Sequence, residues 1–425
     1  MRKRFLPAVS LAVCVTMGIC ACSSDNDEDV FTGDTPEEPE YQANLDAVTP
    51  AAYSTVDGLD LEPGTYISVI GKQEDSSYWQ QIRAGVQQAA ADLNEKLGYS
   101  GNDQIRVLFN APSDGEDIDE QVNILDEELA RYPDVIAIAS IDADASEVQF
   151  DLAIGNGIPI VAFDSGNSYQ GIQCTCVTDN RTAAAEGASR LCGAVEESGE
   201  VLLLVHDSVS GNAAERMEGF TGEITGNHPG VTLAGPLYLD QLNEIKRQAA
   251  AEQLNVSLEE LQAAESAESG DTAEGQTEDG TVPEEGENPE STDSASLEEV
   301  ISVADGMSDE DAVAWYMEKH PDLKGVFGTN DAATQIAVEA LSRTEFSDDV
   351  RVMGFDAGSS QISALESGDI DGLIAQNPFG MGYAAVVAAS RTVLEIGNEA
   401  VVNTGYVWVD SENMEDEAVQ PFLYD

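Results

Sequence analysis

Short, continuous hydrophobic runs recur along the chain between residues 66 and 377, and longer stretches with helical spacing separate them. Runs that are apolar at every position are typical of strands buried on both faces of a parallel sheet. The intervening stretches, such as 79–97, 118–131, 181–195 and 331–344, have the pattern of amphipathic helices. The predicted strands are YISVIG (66–71), IRVLF (105–109), VIAIAS (135–140), IPIVAFD (158–164), EVLLLVHD (200–207), VTLAGPLYL (231–239), LKGVFGTN (323–330), VRVMGFD (350–356) and DGLIAQN (371–377).

This regular alternation of strand and helix predicts an α/β fold with parallel sheets. The number of strands and the length of the chain favour two similar sheets over a single one. We therefore expect two domains, each large enough to bury its own core.

The N-terminal segment 1–22 begins with three basic residues and continues as an apolar stretch from Phe5. It is interpreted as a lipoprotein signal peptide, because the small residue Ala21 precedes Cys22 and an aliphatic residue lies three positions before that cysteine. Cys20 fits poorly, since Ile19 would then be the cleaved residue. A plain signal peptide and an uncleaved anchor are the alternatives, and the stretch is short and polar for a membrane span. We expect an extracytoplasmic protein anchored to the cell membrane by lipid at Cys22.

The charge balance argues against nucleic acid and anionic lipid headgroups as partners. The chain has 18 Lys and Arg against 81 Asp and Glu, a formal net charge of −63. Nucleic acid would be repelled, so we expect no nucleic-acid partner. Anionic lipid headgroups would be repelled as well, so contact with the membrane should depend on the lipid anchor alone. The charge is interpreted as a solvated surface that resists aggregation, with an acidic docking face or adaptation to salt as alternatives.

Two acidic segments are predicted to be disordered. Residues 23–64 contain no Lys or Arg and are interpreted as an acidic tether. Residues 262–298, rich in Glu, Ser, Thr and Gly, are interpreted as a disordered acidic insertion between two helical shoulders. A lid over the neighbouring cleft is the alternative for this insertion. Order should resume at Ser308, which has the position of a helix N-cap.

The mature chain keeps three cysteines, Cys174, Cys176 and Cys192. The first two lie two positions apart on a predicted strand and therefore share a face, while Cys192 lies on the following helix. A disulfide to Cys192 and three small apolar core side chains are both compatible with this spacing. We expect no metal site here, because no histidine is near in sequence. The sequence contains no G-x-S-x-G, H-E-x-x-H or P-loop motif, so nothing signals catalysis. We also expect no cofactor.

Polar side chains end several of the predicted strands, where ligands bind to open parallel sheets. An arginine on the helix after EVLLLVHD adds a fixed set of donors, and two aromatic residues open the first helix. Amide, carboxylate and guanidinium groups beside aromatic rings suit the hydroxyls and the apolar face of a sugar. These candidate site residues are Asp164, Asn330, Asp356, Gln376, Arg216, Tyr78 and Trp79.

Each of these residues also has an ordinary structural interpretation. Asp164 and Asp356 could cap helices, and Tyr78 and Trp79 could belong to the core. His206, which ends a strand together with Asp207, could reach the cleft, although a structural role is favoured. The placement of four polar residues at equivalent strand ends is what favours a binding site.

The sequence resembles the type 1 periplasmic sugar-binding proteins, the ribose-binding-protein-like substrate carriers of ABC importers. The resemblance covers about residues 65–425 apart from the insertion. The matching pieces are SSYWQQIRAGVQQAA (76–90), GIPIVAFDS (157–165), VTDN (177–180), NAAERMEGF (212–220), HPDLKGVFGTND (320–331), VRVMGFDA (350–357) and LIAQNP (373–378). The resemblance implies that the seven candidate residues bind the ligand.

The sequence departs from the ribose-type pattern at three places. Ser165 stands where these proteins often have an arginine, and Ser76 or Ser77 replaces an asparagine before the aromatic pair. An aromatic residue expected near Leu239 corresponds to Tyr238. The ligand therefore stays open between a pentose, a hexose, a polyol and a nucleoside.

The resemblance also implies the architecture: two Rossmann-like lobes with parallel sheets, joined by a three-crossing hinge. The N-terminal lobe would comprise 65–178 plus 378–405, and the C-terminal lobe 179–377 plus 406–425. The crossings are expected near Thr178, Asn377 and Tyr406, with closure on the ligand by hinge motion.

The implied function is that of a monomeric, non-enzymatic carrier that presents a small sugar-like ligand to an ABC permease of the membrane. A sensor that signals to a membrane kinase or chemoreceptor is an alternative. A sugar-acting enzyme that uses Asp164 and Asp356 as paired carboxylates is a further one.

Overall fold

A computed structural model describes residues 39–113, 115–257, 297–346 and 349–424. Its α-helices are α1 Gln42–Asp46, α2 Ser77–Leu97, α3 Ile118–Ala130, α4 Glu147–Gly155, α5 Asn180–Ala194, α6 Gly211–Asn227, α7 Asn243–Gln253, α8 Leu297–Asp305, α9 Asp309–Glu318, α10 Asp331–Leu341, α11 Ser359–Ser367 and α12 Pro378–Val393. Its strands are β1 Tyr66–Ile70, β2 Arg106–Asn110, β3 Val135–Ile138, β4 Ile160–Phe163, β5 Ile172–Val177, β6 Gly199–Val205, β7 Val231–Leu233, β8 Leu237–Tyr238, β9 Leu323–Gly328, β10 Arg351–Phe355, β11 Gly372–Gln376, β12 Val401–Asn403 and β13 Tyr406–Val409.

The strands form two sheets with their own hydrophobic cores. The first sheet has the order β12-β5-β4-β3-β1-β2 and is parallel throughout. The second has the order β13-β11-β10-β9-β6-β7, with β8 paired to β6, and only β13 runs antiparallel to its neighbour. The central strands β1, β3, β4 and β11 are buried along their whole length, as their apolar runs predict. The predicted α/β class with two Rossmann-like lobes is confirmed.

The chain crosses between the two sheets three times. It leaves the first sheet after β5 and enters α5, which packs on the second sheet. It returns between β11 and α12, because α12 packs on the first sheet, and it crosses again between β12 and β13. The crossings lie at residues 178–179, 377 and 404–405, close to the predicted positions.

The amide of Asn377 joins two of the crossings. Its Nδ2 donates to the carbonyl oxygen of Thr404 at 2.7 Å, and its Oδ1 accepts from the backbone N–H of Gly380 at 3.0 Å, capping α12. Its side chain is fully buried. Because each of its polar atoms is hydrogen-bonded, the residue is held where α12 begins.

The prediction of a disordered tether over 23–64 is wrong for residues 40–64. This segment contains α1, and its apolar side chains, including Leu45, Tyr53 and Leu61, are buried in the core of the first lobe. Absence of Lys and Arg indicated disorder, but the segment carries enough apolar surface to compensate for ordering its backbone. Residues 23–38 and the predicted signal with Cys22 lie outside the described residues.

Two strand predictions also differ from the structure. The run VTLAGPLYL forms two short strands, β7 and β8, instead of one, because Pro236 between them has no N–H to donate to a sheet. The short strands β12 and β13 were not predicted. The insertion 262–298 lies outside the described residues up to position 296, and the flanking helices α7 and α8 pack together through Ala250, Ala251 and Val300.

The three cysteines of the described chain are free and buried. Cys174 and Cys176 belong to the core of the first lobe, whereas Cys192 belongs to a core of the second. The disulfide alternative is therefore not formed, and the cysteines act as small apolar side chains. Burial raises the pKa of the Cys192 thiol to about 12.

Helices α2 and α12 are in backbone contact at two glycines. A Cβ atom on Gly85 would lie 2.0 Å from the carbonyl oxygen of Phe379, and one on Gly382 would lie 2.1 Å from that of Ile82. Both neighbours are backbone atoms and cannot rotate away. The close approach of the two helices therefore depends on the absence of a side chain at both positions.

We expect Gly382→Ala to lower the free energy of unfolding by about 1–3 kcal/mol, because the added methyl group must separate the two helices. Urea unfolding followed by circular dichroism measures this value. Gly222→Ala is the matched control, since Gly222 is exposed in α6 and a Cβ there meets no atom within 4 Å. The control should be unchanged or up to about 1 kcal/mol more stable. An equal loss in both variants would contradict the packing argument.

Candidate ligand-binding cavity

A cavity of about 130 Å³ lies between the two lobes, at the carboxyl ends of the strands. Side chains from both lobes line it. The structure brings all seven candidate residues to this cavity: Tyr78, Trp79, Asp164, Arg216, Asn330, Asp356 and Gln376.

Two aspartates are placed by the same backbone turn in the two lobes. Asp164 follows β4 directly and Asp356 follows β10 directly, with φ values of 55° and 75°. The left-handed region is uncommon for residues other than glycine, and aspartate is among those that tolerate it best. Neither residue is the N-cap of the helix that follows it, since Gly358 is the N-cap of α11 and Asp179 is that of α5. Both carboxylates are therefore directed by their strand ends and available at the cavity.

Arg216 is 2% exposed and is held by acceptors of the second lobe. Its Nε donates to Asn180 Oδ1 at 2.8 Å, and its Nη1 donates to the carbonyl oxygen of Thr329 at 2.6 Å. Its Nη2 donates to Gln376 Oε1 at 2.8 Å, and its guanidinium lies 4.1 Å from the ring centroid of Phe355. These neutral acceptors fix the plane of the guanidinium while leaving its charge without a directly bonded carboxylate.

Gln376 connects this arginine to an aspartate. Its Nε2 donates to Asp356 Oδ1 at 2.7 Å, and its Oε1 also accepts from the hydroxyl of Thr178 at 2.8 Å. Burial raises the pKa of Asp356, although Arg216 and the hydrogen bond from Gln376 oppose this effect. The three side chains form one buried chain of hydrogen bonds at the floor of the cavity.

The two aromatic residues differ in their contacts. Helix α2 begins after Ser76, whose hydroxyl accepts from the backbone N–H of Trp79. The hydroxyl of Tyr78 donates to Asp164 Oδ1 at 2.7 Å, and burial raises the pKa of Tyr78 well above its usual value. Trp79 packs edge-on against Phe163 in the core of the first lobe. Trp79 therefore has both the core role and a place in the cavity wall.

Asn330 is the N-cap of α10. Its Oδ1 accepts from the backbone N–H of Ala333 at 2.8 Å. Since the oxygen is used for capping, its amide NH2 is the group it can offer to a ligand.

The sequence interpretation missed several polar residues of the cavity. Lys72 is 3% exposed, lies just after β1, and pairs with Glu116 at 2.9 Å. The rule that identified Asp164, a polar residue just after a buried strand, would also have identified Lys72. Burial alone would lower the pKa of Lys72, but the carboxylates of Glu116 and Asp164 outweigh it and raise the pKa. The cavity residues that were not predicted include Lys72, Glu116, Asn212 and Asp331.

His206 also lines the cavity, and it is neutral there. Burial lowers the pKa of its imidazole to about 3; Asp207 opposes this shift, while the cations Arg216 and Lys72 add to it. Its Nδ1 lies 2.7 Å from the hydroxyl of Thr329. A neutral ring leaves one nitrogen as an acceptor.

Asp331, the first residue of α10, has a carboxylate oxygen that is buried without a hydrogen-bond partner. Its backbone N–H donates to Asp356 Oδ2 at 2.9 Å, which brings the two carboxyl groups together. Burial, with the charge of Asp356 as the second cause, raises the pKa of Asp331 to about 6. An unsatisfied buried oxygen is uncommon and costs stability unless a proton or another group satisfies it.

The lobes are in contact around the cavity. A Cβ on Gly211 would lie 2.7 Å from the carbonyl oxygen of Ser165, and the rings of Tyr78 and Tyr424 lie 6.1 Å apart. The hydroxyl of Ser165 donates to the carbonyl oxygen of Ser140 and therefore does not replace an arginine as a ligand donor. Tyr238 packs against the core of the second lobe and is not among the residues that line the cavity.

Comparison with known proteins gives one matching family model, described as periplasmic binding protein domain, over residues 67–271 and 299–395. No curated protein sequence matches the chain. Solved structures with the same fold include a carbohydrate transporter solute-binding protein from Agrobacterium radiobacter in complex with D-arabinose, at 23% identity. The match covers 84% of this chain and 99% of that chain, with a TM-score of 0.60.

Two further structures have the same fold. A solute-binding protein of an ABC transporter from Agrobacterium vitis, bound to alpha-D-tagatopyranose, matches at 23% identity and a TM-score of 0.61, covering 85% of this chain and 99% of that chain. A glucose-galactose binding protein from Geobacillus stearothermophilus matches at 17% identity and a TM-score of 0.59. That match covers 83% of this chain and 99% of that chain. At these identities the likeness is one of fold.

We expect Asp331→Asn to stabilise the ligand-free protein, and more at pH 7.5 than at pH 4. The folded-state pKa of about 6 lies above the ordinary value of 3.8, so the folded protein keeps this proton between those values while the unfolded chain loses it. The free energy of unfolding therefore falls as pH rises through this window, by up to about 3 kcal/mol, and an amide removes that loss.

Urea unfolding of both proteins at pH 4 and pH 7.5 measures the difference. Asp309→Asn is the matched control, because Asp309 is the first residue of α9 and its partly exposed carboxylate pairs with Lys246 on the surface. The control should change the free energy of unfolding by less than about 1 kcal/mol at either pH. A pH-independent effect of Asp331→Asn would contradict the raised pKa.

Proposed function

The chain belongs to the periplasmic binding protein domain family, and we propose that it captures a small sugar-like solute between its lobes and delivers it to an ABC permease. The family match confirms the resemblance to type 1 periplasmic sugar-binding proteins. The observation that carries the proposal is the cavity itself, where donors and acceptors from both lobes surround a small volume beside two aromatic rings. A sugar hydroxyl both donates and accepts, so it needs both kinds of partner.

We assign the acceptor role to the two strand-end aspartates, Asp164 and Asp356. Arg216 and Asn330 supply N–H donors, and Gln376 orients Arg216 and Asp356 through hydrogen bonds to both. The apolar face of the sugar ring would lie against Tyr78 and Trp79, as apolar ring faces do on aromatic side chains; both side chains line the cavity. Since these groups come from both lobes, a bound solute favours the closed arrangement over an open one.

Transport is favoured over sensing or catalysis. The structures of similar fold include a carbohydrate transporter protein and an ABC transporter protein, each described with a bound sugar. The two strand-end aspartates, Asp164 and Asp356, already accept hydrogen bonds from Tyr78 and Gln376, which suits fixed acceptors for hydroxyl groups. We therefore propose a monomeric carrier without enzymatic activity.

We further propose that lipid on Cys22 anchors the protein to the membrane. The family works outside the cytoplasm, and the basic and apolar segment 1–22 precedes the folded part. Within the part of the chain that the structure describes, no helix is both long and apolar enough to cross a bilayer. We place the proposed anchor on Cys22 because the small residue Ala21 precedes this cysteine at the end of the predicted signal.

We expect a monosaccharide to raise the melting temperature, and Asp164→Asn to weaken its binding at least tenfold. A saturating ligand at one hundred times its dissociation constant adds about 2.7 kcal/mol to the free energy of unfolding. The amide replaces a charged acceptor, and a hydrogen bond to a charged group contributes about 1.5–3 kcal/mol. A thermal-shift screen with D-arabinose, D-fucose, D-tagatose, D-galactose, D-ribose, xylitol and adenosine identifies the ligand, and calorimetry then compares the variants.

Asp309→Asn, which removes the same charge from the surface, should bind as the unchanged protein does. If no sugar, polyol or nucleoside shifts the melting temperature, the proposed function is wrong. Equal affinity of the Asp164→Asn variant and the unchanged protein would instead remove Asp164 from the site.

We expect Cys22→Ser to release the protein from the membrane fraction into the soluble extracytoplasmic fraction, because the serine hydroxyl cannot receive the lipid by thioether formation. Detergent phase partitioning of cell extracts measures the distribution. Cys20→Ser is the matched control and should leave the protein in the detergent phase. Release by the control instead would assign the anchor to the other cysteine.

A further inference from the structure

The cavity contains more carboxylates than cations. Four acidic side chains line it against two basic ones; the acidic residues are Glu116, Asp164, Asp331 and Asp356, and the basic residues are Lys72 and Arg216. This excess of negative side chains bears on which charge a bound solute can carry.

Neither cation neutralises the aspartates by direct contact. Lys72 forms its ion pair with Glu116, at 2.9 Å. The three guanidinium nitrogens of Arg216 donate to neutral acceptors, which are the side chains of Asn180 and Gln376 and the carbonyl oxygen of Thr329. None of the three aspartates therefore forms an ion pair with either cation, although the charge of Lys72 also acts on Asp164.

Asp331 and Asp356 are the pair for which this imbalance is largest. They are adjacent, since the backbone N–H of Asp331 donates to Asp356 Oδ2 at 2.9 Å. Asp356 also accepts from Gln376, whereas Oδ1 of Asp331 is buried and has no partner. A cation beside the carboxylate of Asp331, which lines the cavity, would reduce the repulsion between the two carboxylates.

A metal ion is a poor fit for this place. In residues 39–113, 115–257, 297–346 and 349–424, no group of three or more acidic, histidine or cysteine side chains is arranged to hold one. An ammonium needs only hydrogen-bond acceptors, three of which it can use at once. The remaining wall of the cavity, with Arg216, Asn330 and the aromatic pair, still suits the hydroxyls and face of a sugar ring.

We propose that the solute is a cationic amino sugar and that Asp331 determines this specificity by accepting a hydrogen bond from the sugar ammonium. The inference rests on the proposed sugar-binding function and names the substrate class of the same cavity. Asp356 lies beside the ammonium and supplies the second negative charge. Sugars with a carboxylate or phosphate are excluded by the same charges.

Calorimetry at pH 6.5 with matched sugars tests the proposal on the unchanged protein. The probes are D-glucosamine with D-glucose, D-galactosamine with D-galactose, and D-glucuronate. In at least one pair the amino sugar should bind at least tenfold more tightly than its neutral parent, and glucuronate should not bind. Asp331→Asn should reduce this preference to less than threefold, while Asp309→Asn should keep it.

The outcomes separate the two proposals. Neutral sugars that bind as tightly as their amino counterparts overturn the inference and leave the proposed function intact. Failure of every sugar to bind removes the proposed function and the inference with it. A preference for the amino sugar that survives in a folded Asp331→Asn protein, as judged by its melting temperature, overturns the assignment to Asp331.

Discussion

The hydrogen bonds of Gln376 are the constraint on which the cavity and the hinge both depend. Gln376 is the last residue of β11, and the chain crosses to the other lobe at the next residue. Its Oε1 accepts from Arg216 and from Thr178, which lies at the first crossing, and its Nε2 donates to Asp356. One buried amide therefore joins two crossings of the hinge to two groups of the cavity.

The third crossing is connected through the neighbouring residue. Asn377 donates to the carbonyl oxygen of Thr404, between β12 and β13, and also to that of Asn44 in α1. Because a buried amide loses a hydrogen bond when its partner backbone shifts, we expect a change at these crossings to cost free energy unless the bonds are kept. Residues 40–64 belong to this assembly as well, since the side chain of Asn44 donates to Asn377 Oδ1 at 3.0 Å. This described part of the predicted tether thus contributes to the structure that holds the crossings.

The sequence predicted the parts of the molecule that depend on local pattern. Continuous apolar runs located β1 to β4, β6, β9, β10 and β11, because parallel strands in the middle of a sheet are buried on both faces. The alternating strand β5 was not among these runs, and β7 and β8 were predicted as one strand. Strand-end positions located Asp164 and Asp356, since the carboxyl ends of parallel strands meet at one edge. The short strands β12 and β13 could not be predicted in this way, because only one side chain in each is buried and neither forms a continuous buried run. Asp331 was missed because its raised pKa depends on burial and on the charge of Asp356, which lies 25 positions later in the sequence.

The charges in the cavity are left unpaired because Arg216 donates only to neutral hydrogen-bond acceptors. Had Arg216 donated to a carboxylate, the pair would be electrically satisfied and would contribute little to the choice of ligand. Because it donates to Gln376, Asn180 and a carbonyl oxygen, it is positioned without being neutralised, and the aspartates around it are not neutralised either. The interaction that fixes the geometry is thus separate from the charges that we propose to recognise the solute. The proposed cationic solute would complete the charge balance that the fold leaves open, so we expect the closed state to be most stable when the solute carries donors toward Asp331.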